Sequence, residues 1–219
     1  MTPERFLKLK AALAKRQPDI TVFADGVHKE HNVSAILRTC DAVGIDTMHG
    51  VAADGEIPRH HMISGGSRRW VDIVIHSSTR AGLSALKAQG WQLAVADSHG
   101  AAIDYRDVDY TAKIAVVLGA ELDGPTQVAR SAADMAIAVP MHGLVESLNV
   151  SVAAAVILYE AERQRRRAGL YDTCRLAPER VALKLFEWAH PVIAQRCRER
   201  GIEYPPLTET GDLAKNPFA

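Results

Sequence analysis

The sequence predicts an α/β protein with a parallel β-sheet flanked by helices, extended by helices at both ends of the chain. Short apolar runs rich in β-branched residues alternate with segments of helical periodicity, the pattern of a layered α/β domain. These runs lack polar alternation, which is typical of parallel strands buried on both faces. The 219 residues, 47% of them hydrophobic, suffice for one medium-sized core.

The first segment predicts a basic helix within residues 1–17. Thr2, Pro3 and Glu4 provide a cap residue, a first-turn proline and a first-turn acid in succession. The helix is expected to end before Pro18, because proline disfavours helical backbone in the residue that precedes it.

Six apolar runs then predict strands, separated by helices and by a glycine-rich loop over residues 54–69. The predicted strands are residues 20–27, 46–52, 70–76, 91–97, 113–119 and 134–140. The predicted helices are residues 32–44, 79–89, 149–169 and 178–200. Together they predict an N-terminal helix over 1–17, an α/β domain over 18–168, and a C-terminal helical extension over 169–219, with a mobile tail from Tyr204.

Composition argues against an exported or membrane protein. Cys40, Cys174 and Cys197 are odd in number and widely spaced, so neither a disulfide framework nor a Cys-x-x-Cys metal site is expected. The N-terminal residues are charged without an apolar signal region, and no apolar run approaches the length of a bilayer span. We expect a cytoplasmic protein with reduced thiols.

Charge is unevenly distributed although the formal net charge is zero. Residues 1–16 hold five basic residues against one acid, and residues 161–180 hold six arginines against three acids. Two basic helical ends are typical of a protein that grips a polyanion at its edges. Ordinary solvated helix faces have the same pattern, and charge alone leaves both interpretations open.

Two nucleotide-binding motifs are missing where they would be needed. No Gly-x-Gly-x-x-Gly follows the first predicted strand, which disfavours a dinucleotide-binding enzyme. The segment Gly119–Gly124 has the glycine spacing of a phosphate loop but continues with Pro125 and Thr126 instead of the required lysine.

Three other segments, taken together and in order, resemble the motifs of the SpoU family. They are Asn32-Val-Ser-Ala-Ile-Leu-Arg38, Leu118-Gly-Ala-Glu121-Leu-Asp-Gly124, and Val139-Pro-Met-His-Gly-Leu-Val-Glu-Ser147-Leu-Asn149. Each alone is common by chance, whereas the ordered set is specific. Further stretches are similar to the branch that methylates a D-loop guanosine of tRNA: residues 16–22, 27–32, 64–67, 104–111 and 162–165.

The resemblance implies an α/β knot of the SPOUT type, in which the C-terminal part of the domain threads through a loop as a trefoil knot. It also implies S-adenosylmethionine as cofactor, a working homodimer, and methylation of a ribose 2'-hydroxyl in tRNA without a metal. Two alternatives remain open, a SpoU-type enzyme for ribosomal RNA and a non-catalytic RNA-binding relative.

The family pattern implies a cofactor site at the loops that follow the later strands. Its residues are Ala96, Leu118, Gly119, Gly124, Val139, Met141 and Leu148. Glycines allow close approach of the backbone to the adenosine, and the apolar side chains suit its ring. Taken singly, each of these residues could equally be the end of a core strand.

The resemblance assigns the chemistry to Arg38, Asn32, Glu121, Ser147 and Asn149. Arg38 is expected to bind the phosphate beside the target ribose and to stabilise the developing oxyanion, since a guanidinium is a poor base. Asn32, Ser147 and Asn149 would orient the reactants, and Glu121 would fix a loop or hold a cationic partner. The three polar residues could also be helix caps.

The basic ends are expected to contact RNA mainly through phosphates. The candidates are Arg5, Lys8, Arg16, Lys87, Arg163, Arg165 and Arg166.

Other conspicuous residues are interpreted as structural. His28 with His31 and His60 with His61 lack a third ligand at a convincing spacing, so no metal is expected. Cys40 is expected to be packed. Two positions depart from the family pattern: Glu30 stands where a proline is common, and Glu146 where a glutamine is common.

Overall fold

The computed structural model describes residues 1–51, 69–98 and 101–218. The chain divides into two units, Gln17–Leu170 and the pair of end segments Met1–Arg16 and Tyr171–Ala219. The predicted limits after residues 17 and 168 lie one and two residues from these divisions. Separate roles for the units stay a prediction.

The unit Gln17–Leu170 contains a parallel sheet of seven strands within the described residues. The strands are β1 (Ile20–Asp25), β2 (Thr47–Val51), β3 (Asp72–His76), β4 (Gln92–Ala96), β5 (Ile103–Asp104), β6 (Ile114–Gly119) and β7 (Met135–Ala138). Their order across the sheet is β3-β2-β1-β6-β4-β7-β5. All pairings are parallel, so the carboxyl ends of β1, β4, β6 and β7 lie at one edge.

The central strands explain why apolar runs in the sequence predicted strands. Every residue of β1 and β6 is buried, and the two strands pair along their whole length, from Ile20 opposite Ile114 to Asp25 opposite Gly119. Burial on both faces, expected from the absence of polar alternation, is thereby confirmed.

Helices cover both faces of the sheet. They are α2 (Glu30–Ala42), α3 (Thr79–Ala88), α4 (Gln127–Ala132) and α5 (Val150–Arg167). Val22 packs in a core with residues of α2 and α5, whereas its neighbour Phe23 packs in a second core with residues of α3 and α4. Successive strand residues thus pack into cores on opposite faces of the sheet, which confirms the predicted layered α/β architecture. The threading of a knot stays a prediction.

Two short elements were absent from the sequence prediction. Strand β5 has two residues and α4 has six, too few for either to show a period. Thr126 caps α4 by accepting a hydrogen bond from the Ala129 amide at 3.1 Å.

The unit of the two chain ends is helical. It contains α1 (Pro3–Ala14), α6 (Pro178–Ala189) and α7 (Pro191–Arg200), and α1 packs against α6. The single helix predicted over residues 178–200 is therefore wrong. His190 has φ −130° and ψ 61°, outside the helical region, because Pro191 excludes helical backbone at the residue before it.

The C-terminal tail also differs from the expectation of a mobile segment. Leu207 and Leu213 form a β-bridge, and the ring of Tyr204 stacks on Phe186 at a centroid distance of 4.5 Å. Gly211 has φ +86° and lies so close to Phe6 that a Cβ there would come within 2.4 Å of the ring. The tail is thus packed onto the helices of its own unit.

Among the helices of the described ranges, none has the length and apolar content needed to cross a bilayer.

Candidate active site

A cavity lies at the carboxyl ends of β4, β6 and β7, closed by the segment that leads into α5. All seven predicted cofactor residues line it: Ala96, Leu118, Gly119, Gly124, Val139, Met141 and Leu148. Glu121 and Ser147, two of the predicted catalytic residues, line it as well. The structure therefore brings the second and third motifs to one place.

The second motif forms a tight turn directly after β6. The Ala120 amide donates to the Gly124 carbonyl at 3.1 Å, and the Gly124 amide donates back to the Ala120 carbonyl at 3.0 Å. Gly124 has φ +66°, which favours glycine. A Cβ on Gly119 would lie 2.0 Å from the Pro125 nitrogen, so only glycine lets the chain return this closely.

Asp25 anchors this turn to the sheet, a role that the sequence analysis missed. Its carboxylate is buried at the end of β1, where Oδ2 accepts from the Thr126 amide at 2.7 Å and Oδ1 accepts from the Thr79 hydroxyl at 2.5 Å. An acid that ends a wholly apolar strand was the available signal, because a buried carboxylate needs hydrogen-bond donors.

A chain of hydrogen bonds joins all three motifs. The buried Asn32 donates from Nδ2 to Glu121 Oε1 at 2.5 Å, and Asn149 donates from Nδ2 to Asn32 Oδ1 at 3.1 Å. Asn32 is not a helix cap, since Lys29 occupies that position of α2. Asn149 does cap α5 by accepting from the Ser151 amide, and its role in orienting the reactants stays a prediction.

Glu121 is ionised at neutral pH. Burial raises the pKa of its carboxyl group, but the hydrogen bond from Asn32 and the nearby charge of Lys29 lower it, and the resulting pKa lies below the usual value. The network thus holds a negative charge at the cavity wall.

The cavity wall is acidic. Asp97, Glu121, Asp123 and Glu146 line it, and within the described ranges no lysine, arginine or histidine does. Arg130 donates from Nε to Asp97 Oδ2 at 2.6 Å and so balances one of the four carboxylates. The remaining charge suits a ligand with a positive group.

Arg38 does not line this cavity within its own chain. It is exposed on α2, six residues after Asn32. Six residues of α-helix correspond to about 9 Å along the axis and about 120° around it, so the two side chains leave different faces of α2. Asn32, Glu121 and Asn149 are therefore joined by hydrogen bonds and Ser147 lies at the cavity wall, whereas Arg38 is not part of this group within its own chain.

Five of the seven predicted RNA contacts have accessible side chains. Arg5 and Lys8 are exposed on α1. The other three form ion pairs at the surface, Lys87 with Asp134, Arg163 with Glu160 and Arg166 with Glu162. Their contact with RNA stays a prediction.

The remaining two predicted RNA contacts are wrong. Arg165 is 0% exposed; its Nη1 lies 2.6 Å from Asp19 Oδ1 and its Nε donates to the Tyr110 carbonyl at 2.8 Å. Arg16 is 2% exposed and lies over the ring of Trp188 at 5.1 Å. Arg165 lies on the buried face of α5, and Arg16 is buried in the segment that follows α1.

The histidines form no metal site in the part of the chain that the structure describes. No group of three or more histidine, cysteine, aspartate or glutamate side chains there is placed to hold a metal ion. His28 and His31 are exposed, and Cys40 is buried as expected. His60 and His61 lie outside the described residues.

Two family profiles match the chain. The profile described as SpoU rRNA Methylase family matches residues 19–159, and SpoU, rRNA methylase, C-terminal matches residues 163–216. A tRNA (guanosine(18)-2'-O)-methyltransferase of Escherichia coli is 40% identical over 215 residues, covering 97% of this chain and 94% of that protein. The protein of the same name from Thermus thermophilus is 48% identical over 187 residues, covering 85% and 96%.

Solved structures agree with these sequence matches. The TrmH/SpoU tRNA modifying enzyme of A. aeolicus has a TM-score of 0.78 and 39% identity, covering 87% of this chain and 97% of its own. The SpoU methyltransferase AviRb of Streptomyces viridochromogenes, in complex with the cofactor AdoMet, has a TM-score of 0.59 and 28% identity, covering 70% and 62%. With three motifs around one cavity and profiles over most of its length, the chain belongs to the SpoU methylase family.

Proposed function

We propose that this protein transfers the methyl group of S-adenosylmethionine to the 2'-hydroxyl of guanosine 18 in the D-loop of tRNA. The observation that carries the proposal is the hydrogen-bonded chain from Asn32 through Glu121 and Asn149, which gathers three motifs at the acidic cavity. Relatives described by this activity match nearly the whole chain at 40–48% identity, which supports the same reaction here.

The cavity suits S-adenosylmethionine on two grounds. The absence of a side chain at Gly119 opens the backbone to close approach, and Leu118, Val139 and Met141 offer apolar surface to a purine ring. The unbalanced carboxylates suit a donor that carries a sulfonium and an ammonium group. When bound, S-adenosylmethionine supplies an activated methyl group.

The protein's own residues would position the acceptor. We assign Arg38 to the phosphate beside the target ribose, where its fixed positive charge stabilises the oxygen as the proton leaves. Asn32, held between Glu121 and Asn149, keeps the amide and carboxylate groups of the site in fixed orientation. Ser147 offers a hydroxyl at the cavity wall for the donor or the ribose.

A homodimer would complete this site. Large apolar side chains are exposed around the cavity, with Leu122 93% and Leu144 104% exposed and Val145 beside them. Val152 and Tyr159 continue the apolar surface along α5, which packs against α2, the helix of Arg38. Exposed large apolar side chains on these segments favour a protein partner, and we propose a second copy whose Arg38 completes the cavity.

The chain ends would contribute to tRNA binding. The unit of Met1–Arg16 and Tyr171–Ala219 holds twelve lysines and arginines against eight acids, whereas Gln17–Leu170 holds fourteen against eighteen. Arg5 and Lys8 lie in the basic unit, and Lys87, Arg163 and Arg166 would add phosphate contacts from the acidic one. A tRNA substrate fits the cytoplasmic location inferred from the sequence.

Transfer of a labelled methyl group separates this function from the ribosomal alternative. The purified protein is incubated with labelled S-adenosylmethionine and either a tRNA transcript or ribosomal RNA fragments. We expect label in the tRNA alone, because the matched relatives are described as tRNA enzymes. Label in ribosomal RNA alone, or RNA binding without transfer to either, would contradict the proposal.

A further inference from the structure

The proposed reaction leaves Glu146 without a role. It lies in the segment between β7 and α5, directly before Ser147, and it is exposed at the wall of the cavity. Within the described ranges its carboxylate has no ion-pair or hydrogen-bond partner. A carboxylate without a partner among the described residues therefore stands at the cavity wall.

The other three lining carboxylates differ in how they are held. Asp97 is balanced by Arg130 at 2.6 Å, and Glu121 accepts a hydrogen bond from Asn32. Asp123 has no partner among the described residues, but it lies on the tight turn that Ala120 and Gly124 close by mutual hydrogen bonds. Glu146 lies instead on the segment between Met141 and Leu148, directly before Ser147.

We propose that Glu146 is the counter-ion of the positively charged part of the methyl donor, a role that rests on the proposed use of S-adenosylmethionine. The donor carries positive charge at its sulfonium and at its ammonium group. Methyl transfer breaks the sulfur–carbon bond and forms an oxygen–carbon bond. The electron pair of the broken bond stays on sulfur as a neutral thioether, and the hydroxyl proton passes to solvent water. Of the two positive groups, S-adenosylhomocysteine retains only the ammonium.

Three ligands separate the possible contacts of Glu146. S-adenosylmethionine carries both positive groups, S-adenosylhomocysteine carries the ammonium alone, and 5'-methylthioadenosine carries neither. The dissociation constant of each is measured by calorimetry for the full-length wild type, Glu146→Gln and Asp123→Asn, without RNA and therefore without turnover. Thermal denaturation midpoints check that the variants are folded.

For Glu146→Gln we expect S-adenosylmethionine to bind about tenfold more weakly, the size of one partly solvated charge pair. Binding of 5'-methylthioadenosine should change by less than about twofold, since it has no charge to lose. If S-adenosylhomocysteine weakens as much as the donor, Glu146 faces the ammonium group. If its affinity is unchanged, Glu146 faces the sulfonium, and loss of that charge assists product release.

Three results would overturn the assignment. They are unchanged donor affinity in Glu146→Gln, equal weakening of 5'-methylthioadenosine, and an equal loss of donor affinity in Asp123→Asn, which would indicate a general negative field. Failure of the wild type to bind any of the three ligands would instead refute the proposed use of S-adenosylmethionine. The two failures are therefore distinguishable.

Discussion

Replacement of Arg38 by alanine is expected to abolish methyl transfer while the affinity for S-adenosylmethionine changes by less than about twofold. Arg38 does not line the cavity of its own chain, so the donor keeps its contacts with the wall. In the role proposed for Arg38, the variant loses an interaction with the RNA phosphate and the developing oxyanion, and loss of one such donor typically lowers kcat by about 100- to 1000-fold. Single-turnover rates and calorimetric donor binding measure the two effects separately.

Two matched variants sharpen this prediction. Arg38→Lys keeps the positive charge but loses the planar guanidinium fork, so we expect partial activity. Arg80→Ala removes another exposed arginine, on α3, and should leave the rate unchanged. Wild-type rates in Arg38→Ala would refute the role assigned to Arg38.

Replacement of Arg165 by alanine is expected to lower the free energy of unfolding by about 3–5 kcal/mol, the usual cost of removing one partner of a buried ion pair. Arg165 Nη1 contacts Asp19 Oδ1 at 2.6 Å, and its Nη2 donates to the Ala112 carbonyl at 3.0 Å. The guanidinium thereby ties α5 to the segments that precede β1 and β6. Urea denaturation with linear extrapolation measures the loss.

The adjacent arginine provides the control. Arg166 is exposed and, among the residues that the structure describes, paired only with Glu162, so Arg166→Ala should change the free energy of unfolding by less than about 0.5 kcal/mol. Arg165→Met, which keeps much of the side-chain volume, should still be destabilised because the Asp19 carboxylate and the carbonyls lose their donor. Equal stability of Arg165→Ala and Arg166→Ala would contradict the structural role assigned to Arg165.

The sheet could be predicted because its central strands carry their own signal. The run that forms β6 is apolar throughout, β1 is apolar except for Thr21 and Asp25, and the structure buries both faces of each. The cavity could be located because the resemblance places the glycines at 119 and 124 where β6 ends. Strand β5 and helix α4 could not be predicted, since segments of two and six residues are too short to show a period.

The basic residues show the limit of charge counting. Residues 161–180 are rich in arginine, but local charge does not tell which side chains point outward. Arg165 follows Leu158 and Ala161 at helical spacing and shares their buried face, a periodicity that the count of charges concealed. The position of Arg38 is a different limit, because periodicity indicates which face of a helix a residue occupies but not what that face contacts.

Removal of a single oxygen atom from the tRNA tests the central claim most directly. Two tRNAs are compared that differ only in carrying guanosine or 2'-deoxyguanosine at position 18, with labelled S-adenosylmethionine as donor and nucleoside mapping of the product. We predict one 2'-O-methylguanosine at position 18 of the first tRNA and no label in the second, which should still bind. Undiminished labelling of the deoxy-substituted tRNA would show that the methyl group goes elsewhere and would contradict the proposed reaction.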